Sequence, residues 1–204
     1  MNFEKIISYL FHPVLFSTIG ALLFFTLQPT YLPKEFEYKI LIVIFLSTYV
    51  IPILFLFILK KRNSIESYHL KTTEERKFPI LFFLTITFLL GMRLLELNAI
   101  DLLAYSFIAG SLSLLITYIL LFIKFKTSLH TLSIGSLIGF VIIISIHYKI
   151  KLLLLITIGV LLFGIIGTAR LKLKAHTVNE VLLGFVIGII TQILIYFTLP
   201  FILS

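Results

Sequence analysis

The stretch DLLAYSFIAGSLSLLITYILLFI, Asp101 to Ile123, carries one charged side chain, at its first position. Crossing the hydrocarbon core of a bilayer takes about 20 mostly apolar residues, because lipid offers backbone N–H and C=O groups no partner and a helix satisfies both internally. The stretch therefore reads as a membrane-crossing helix. Six more runs of similar character flank it: Tyr9 to Leu27, Tyr38 to Leu59, Pro79 to Leu95, Leu132 to Ile146, Leu152 to Thr168 and Val181 to Leu203. The fifth and sixth of the seven, Leu132 to Ile146 and Leu152 to Thr168, are short for a full crossing and are expected to tilt little or to dip from one surface. The first begins with a charged segment and lacks a small-x-small cleavage site, so Met1 to Gln28 is expected to be a retained helix.

Composition agrees with this reading. Of 204 residues 60% are apolar and 13% charged, against about a quarter charged in a soluble domain. The expected fold is all-α, a polytopic transmembrane helical bundle of six to seven spans, with residues 1–204 forming one membrane domain. The formal charge is +8, but Lys and Arg lie in short links between apolar runs. That placement suits anionic lipid or a phosphorylated substrate at the interface, and no nucleic-acid partner is expected. Cysteine is absent, which excludes a disulfide framework and thiolate metal sites. Gly135, Gly139, Gly164, Gly167, Gly184 and Gly188 recur at three- or four-residue spacing, which predicts close internal helix packing through small faces.

Three links hold most of the polar residues: Lys60 to Phe78, Lys124 to His130 and Ala169 to Glu180. Counting spans places all three on one side of the membrane, together with the N-terminus. In the last link, His176 and Glu180 lie four apart and share a face if a helix begins near His176. A carboxylate on one imidazole nitrogen fixes the tautomer and leaves the other nitrogen as a base or nucleophile. Arg170 adds a permanently charged fork suited to phosphate oxygens. A basic juxtamembrane anchor with an incidental ion pair fits the same residues. The second link, Lys126-Thr127-Ser128-Leu129-His130, opens a helix whose N–H groups and hydroxyl can hold an anion, with His130 placed to protonate a leaving oxygen; an ordinary N-cap also explains Ser128. In the first link Pro79 is expected to start the third helix, with Arg76 and Lys77 just outside it.

These residues carry a resemblance. Arg170-x5-His176-x3-Glu180 is similar to the third signature of the type 2 phosphatidic acid phosphatase superfamily, Ser-Arg-x5-His-x3-Asp. Ser128-Leu129-His130 resembles the second, Pro-Ser-Gly-His, and Lys71 to Pro79 more loosely resembles the first, Lys-x6-Arg-Pro. The order matches, as do the two helices between the second and third signatures, so the chain resembles a divergent bacterial member over roughly residues 71–204. The resemblance implies a metal-independent, cofactor-free lipid phosphate phosphatase of the bacterial inner membrane. His176 would be the nucleophile that becomes phosphohistidine, Glu180 its orienting carboxylate and His130 the general acid. Arg170, Arg76, Lys71 and Ser128 would hold phosphate oxygens.

Several positions depart from that pattern. Leu129 replaces a glycine that lets backbone approach phosphate, Thr127 replaces proline, Ala169 lacks a hydroxyl, and Lys71 lies five residues before Arg76 where the family has seven. A second reading therefore stands beside the enzyme: a catalytically weak or inactive relative serving as a lipid-binding or assembly subunit of a membrane complex. Sidedness is read from the basic residues. The motif side, with Lys60, Lys61, Arg62, Lys124, Lys126, Lys172 and Lys174 among others, is richer than the opposite side with Lys34, Lys39, Arg93, Lys149 and Lys151. The positive-inside rule puts the motif side in the cytoplasm, whereas bacterial members of the family commonly face the periplasm.

Overall fold

The computed structural model describes residues 3–66, 68, 70 and 72–203, and among them every regular element is helical. In chain order these are α1 (Phe3–Leu10), α2 (Pro13–Leu27), α3 (Lys34–Lys61), α4 (Thr73–Leu95), α5 (Asp101–Phe122), α6 (Leu129–Tyr148), α7 (Leu153–Lys172) and α8 (Val178–Leu203). The last six are long and apolar enough to cross a membrane, and the chain is an integral membrane protein.

The helices differ from expectation in several places. The first apolar run is divided into α1 and α2, which meet at 51°. Pro13 explains the break: its ring fixes φ and removes an N–H, and it drives His12 to extended backbone, φ −66° and ψ 138°. At the third span the helix starts six residues before Pro79. The hydroxyl of Thr72 accepts the Glu75 N–H while the Glu75 carboxylate reaches back to the Thr72 N–H, a capping box that begins α4 early and places Arg76 in its first turn. Within α3, Leu46–Val50 is a π-helical turn, located where Pro52 has no N–H to continue an α-helical ladder. Finally, α6 and α7 run to 20 residues each, about 30 Å and enough to cross. Their terminal His130, Thr131, His147, Arg170 and Lys172 are polar residues inside the helices, which the apolar runs leave out.

Spans α4, α6 and α8 begin at one end of the bundle, where α3, α5 and α7 finish; this is the site end. At the opposite end Phe24, Ile44, Leu94, Ile100, Leu103 and Ile144 belong to a buried apolar cluster. Between the ends, α6 and α8 run parallel in unusually close contact. A Cβ at Gly184 would stand 2.8 Å from both the Ser128 carbonyl oxygen and the Thr131 hydroxyl, and one at Gly139 would stand 2.9 Å from the Gln192 Cβ. Gly135 and Gly188 are closer still to the facing backbone, at Phe185 and Leu132 respectively. The expected glycine packing is thus internal, except that a Cβ at Gly164 would touch nothing within 4 Å.

Two expectations follow. Gly188→Leu forces the α6 and α8 backbones apart and should destabilise by at least about 2 kcal/mol, whereas Gly164→Ala should be neutral or stabilising by up to about 1 kcal/mol; unfolding curves in detergent compare them. Single cysteines at exposed Asn63 and Asn179 should label from one side of the membrane, the cytoplasmic side by the charge bias, and labelling from opposite sides would contradict the arrangement of the spans.

Candidate functional site

The link between α5 and α6 is short, and three elements grip its backbone. Helix α5 closes with Lys124 in the left-handed region, φ 59°, and the Phe125 N–H donates to the Leu120 carbonyl. Helix α7 closes the same way, with Lys174 at φ 50° and the Ala175 N–H on the Arg170 carbonyl. Both are Schellman turns with lysine in the place where glycine is usual. The second turn directs His176 back toward Lys126. There the Lys126 carbonyl faces His176, the Thr127 carbonyl accepts an Nη1 hydrogen bond from Arg76 at 3.1 Å, and the Ser128 N–H donates to the Glu180 carbonyl at 3.1 Å.

His176 is buried at 8% exposure, and its Nδ1 lies 3.1 Å from both the Lys126 carbonyl oxygen and Glu180 Oε2. Both partners only accept, so the neutral ring carries its proton on Nδ1 and keeps a lone pair on Nε2, at the opposite edge. The carboxylate does a second job: Glu180 Oε2 also accepts the Thr177 N–H at 2.9 Å, capping α8. Burial, then the nearby charges of Arg76, Arg170 and Lys126, push the His176 pKa down to about 3. The same forces lower Lys126, burial first and then Arg76, with Arg170 adding to it. An imidazole so placed is neutral at physiological pH.

His176, Arg76, Arg170, Lys126 and His130 all line one cavity of about 980 Å³. Arg76 is 5% exposed and spends Nε on the Leu70 carbonyl at 2.9 Å. Arg170 donates from Nη1 to the Ser8 hydroxyl at 3.2 Å, while its buried Nε has no hydrogen-bond partner among the described residues. His130 Nε2 lies 3.1 Å from the Ser8 carbonyl oxygen, which fixes that nitrogen as a donor, and its ring meets His12 edge-on at 5.8 Å. Such an arrangement of cations, N–H donors and the unprotonated Nε2 of His176 can bind an anion and offer it a nucleophile. Among the described residues no three His, Cys, Asp or Glu side chains gather where they could hold a metal ion.

The sequence-predicted residues divide accordingly. His176, His130, Arg170 and Arg76 meet at the cavity, and Glu180 stands behind His176. Ser128 does not meet them: it is fully buried outside the lining, its hydroxyl capping α6 by accepting the Thr131 N–H. In this structure that hydroxyl caps a helix and does not line the cavity where the other expected phosphate-holding residues meet. Lys71 lies outside the described residues. Sequence reasoning missed Ser8, which touches both His130 and Arg170, and His12. It also missed Lys126 as a cavity residue. Lys126 had a usable signal, two residues before the Ser128 motif; nothing in the local sequence marks Ser8.

No protein-family model matches the chain, and neither curated proteins nor solved structures provide a significant match to it.

The depressed His176 predicts a pH effect on stability. An unfolded chain protonates this residue near 6.5, the folded one only near 3. Between those values the unfolded state binds more protons, so the His176 contribution is fully present above pH 6.5 and is lost as pH falls toward 3. The melting temperature in detergent should decline over that window, and less steeply in His176→Gln. Parallel declines in the two proteins would contradict a buried neutral imidazole.

Proposed function

We propose that this protein is an integral membrane phosphatase that removes phosphate from a lipid phosphate or polyprenyl pyrophosphate. The observation carrying the reading is the meeting of His176, with Nδ1 clamped and Nε2 unprotonated, with Arg76, Arg170, Lys126 and His130 at one cavity. The resemblance of Arg170-x5-His176-x3-Glu180 to the third signature of the type 2 phosphatidic acid phosphatases supports it, as does an organisation in which the substrate's apolar part stays in or among the helices.

In the proposed reaction His176 Nε2 attacks phosphorus and the bond to the leaving oxygen breaks. His130, when doubly protonated, gives that oxygen its proton. Water then attacks the phosphohistidine, His130 takes a proton from it, and inorganic phosphate and free His176 result. Arg76, Arg170 and Lys126 neutralise the charge on the non-bridging oxygens, where phosphoryl transfer needs positioning and electrostatics more than covalent help. We further place the protein in the bacterial inner membrane, in keeping with the family it resembles.

One observation favours a second reading, a lipid-phosphate-binding subunit without turnover. The Nε2 proton of His130 is engaged by the Ser8 carbonyl, so the acid must be released or doubly protonated before it can serve a leaving group. Phosphate release from a panel of phospholipid, polyprenyl and glycolipid phosphates separates the two. The enzyme should release phosphate and lose at least about a thousandfold in rate with His176→Ala, as removal of a nucleophile generally does, while the variant still folds, though with a lowered melting temperature because two buried acceptors lose their donor. No release by the purified wild-type protein from any of the panel would overturn the catalytic reading.

A further inference from the structure

The cavity does not end at the basic residues. It continues into the bundle between α2, α3, α5, α6 and α8, and its inner wall includes Ser17, Ser47, Ser106, Ser136 and Gln192. Its inner end meets the apolar cluster of the far end, through Ala21, Leu103 and Phe140. Hydroxyls within spans usually donate to the carbonyl one turn back, as Thr48 and Ser133 do here. The hydroxyls of Ser17, Ser47, Ser106 and Ser136 have no protein partner among the described residues. Gln192 is 4% exposed and donates from Nε2 to the Ser106 carbonyl at 3.1 Å, an arrangement that leaves its carbonyl oxygen as an acceptor. These four serines are half-buried and line the cavity with the buried Gln192, so one wall offers an amide and several hydroxyls that a purely hydrocarbon chain would not use.

Gln192 faces Gly139 across the seam. Gly139 is nine residues beyond His130 along α6, about 13 Å along the helix axis. We propose that the chamber takes the chain of a phosphorylated amphiphile inside the bundle, and that this chain carries a hydrogen-bonding group, a hydroxyl or amide, about 13 Å beyond the level of His130, held by Gln192, with Ser136 lining the approach about one turn nearer the basic end. The inference rests on the phosphate reading of the basic end, yet it concerns binding and requires no turnover. The spacing corresponds to roughly ten bonds of an extended alkyl chain, each about 1.5 Å long and zigzagged.

Dodecyl phosphate and an analogue hydroxylated roughly ten bonds from the phosphate are the probes, titrated against the full-length protein in detergent. Wild type should bind the hydroxylated probe about fivefold more tightly, the scale of one buried hydrogen bond. That ratio should fall to about one in Gln192→Leu and decline in Ser136→Ala, a smaller change that tests the same wall if the first variant does not fold. Equal binding of the two probes by wild type overturns this inference and leaves the phosphate reading standing. A fivefold preference that persists in both variants also overturns it, since the hydroxyl is then held elsewhere. If neither probe binds to wild type, both readings fall.

Discussion

The close parallel approach of α6 and α8 is the constraint on which the rest of the arrangement depends. Glycine at 135, 139, 184 and 188 lets two backbones touch where any side chain would hold them apart. Because both helices start at the site end, their approach also fixes the segments leading into them. The link from Lys126 to Ser128 is brought against Thr177 to Glu180, close enough for the Ser128 N–H to bond the Glu180 carbonyl and for His176 to find the Lys126 carbonyl. The position of His176 is therefore set by packing deep in the bundle as much as by its own turn. Parallel starts have an electrostatic effect too. The N-termini of α4, α6 and α8 all lie at the site end, so the positive ends of three helix dipoles add to the attraction for an anion there.

Spans were legible in the sequence because lipid imposes one simple demand, long apolar runs, and Asp101 to Ile123 meets it with a single charged residue at its start. Their limits were less legible. Pro79 reads as a start only if the preceding residues are unstructured, and the Thr72 to Glu75 capping box gives them a helix of their own. The same apolar criterion that joined residues 9 to 27 has no sensitivity to the Pro13 break, since a bent pair of helices is as apolar as a straight one.

The site was legible where function depends on spacing within one segment. His176 and Glu180 are four apart, and helix geometry alone brings them together. It was not legible where function depends on contacts between segments. Ser8 reaches Arg170 from 162 residues away, and no local pattern announces that pairing. Ser128 shows the converse: a residue that matches a motif letter but whose hydroxyl is consumed in capping its own helix. Spans also hid the chamber, because Ser17, Ser106, Ser136 and Gln192 are scattered singly among Leu, Ile and Phe and gain meaning only when four helices bring them to one wall.

Arg76, Arg170 and Lys126 are gathered in one partly buried place, where each opposes the charge of the others and solvation is poor. Taking cations from water is unfavourable by several kcal/mol per ion unless something compensates. Backbone carbonyls compensate Arg76, and the Ser8 hydroxyl offers Arg170 a weak partner while its Nε stays unmet. Glu180, the carboxylate coupled to them, is already bound to His176 and the Thr177 N–H. On the proposed reading an anion in the cavity adds to that compensation, which favours binding but not yet chemistry. Chemistry is argued by the clamp on His176. A binding site needs donors on every side, and an imidazole fixed with its lone pair outward is a poor element for holding phosphate. The same geometry suits a nucleophile, as the proposed phosphatase reading requires.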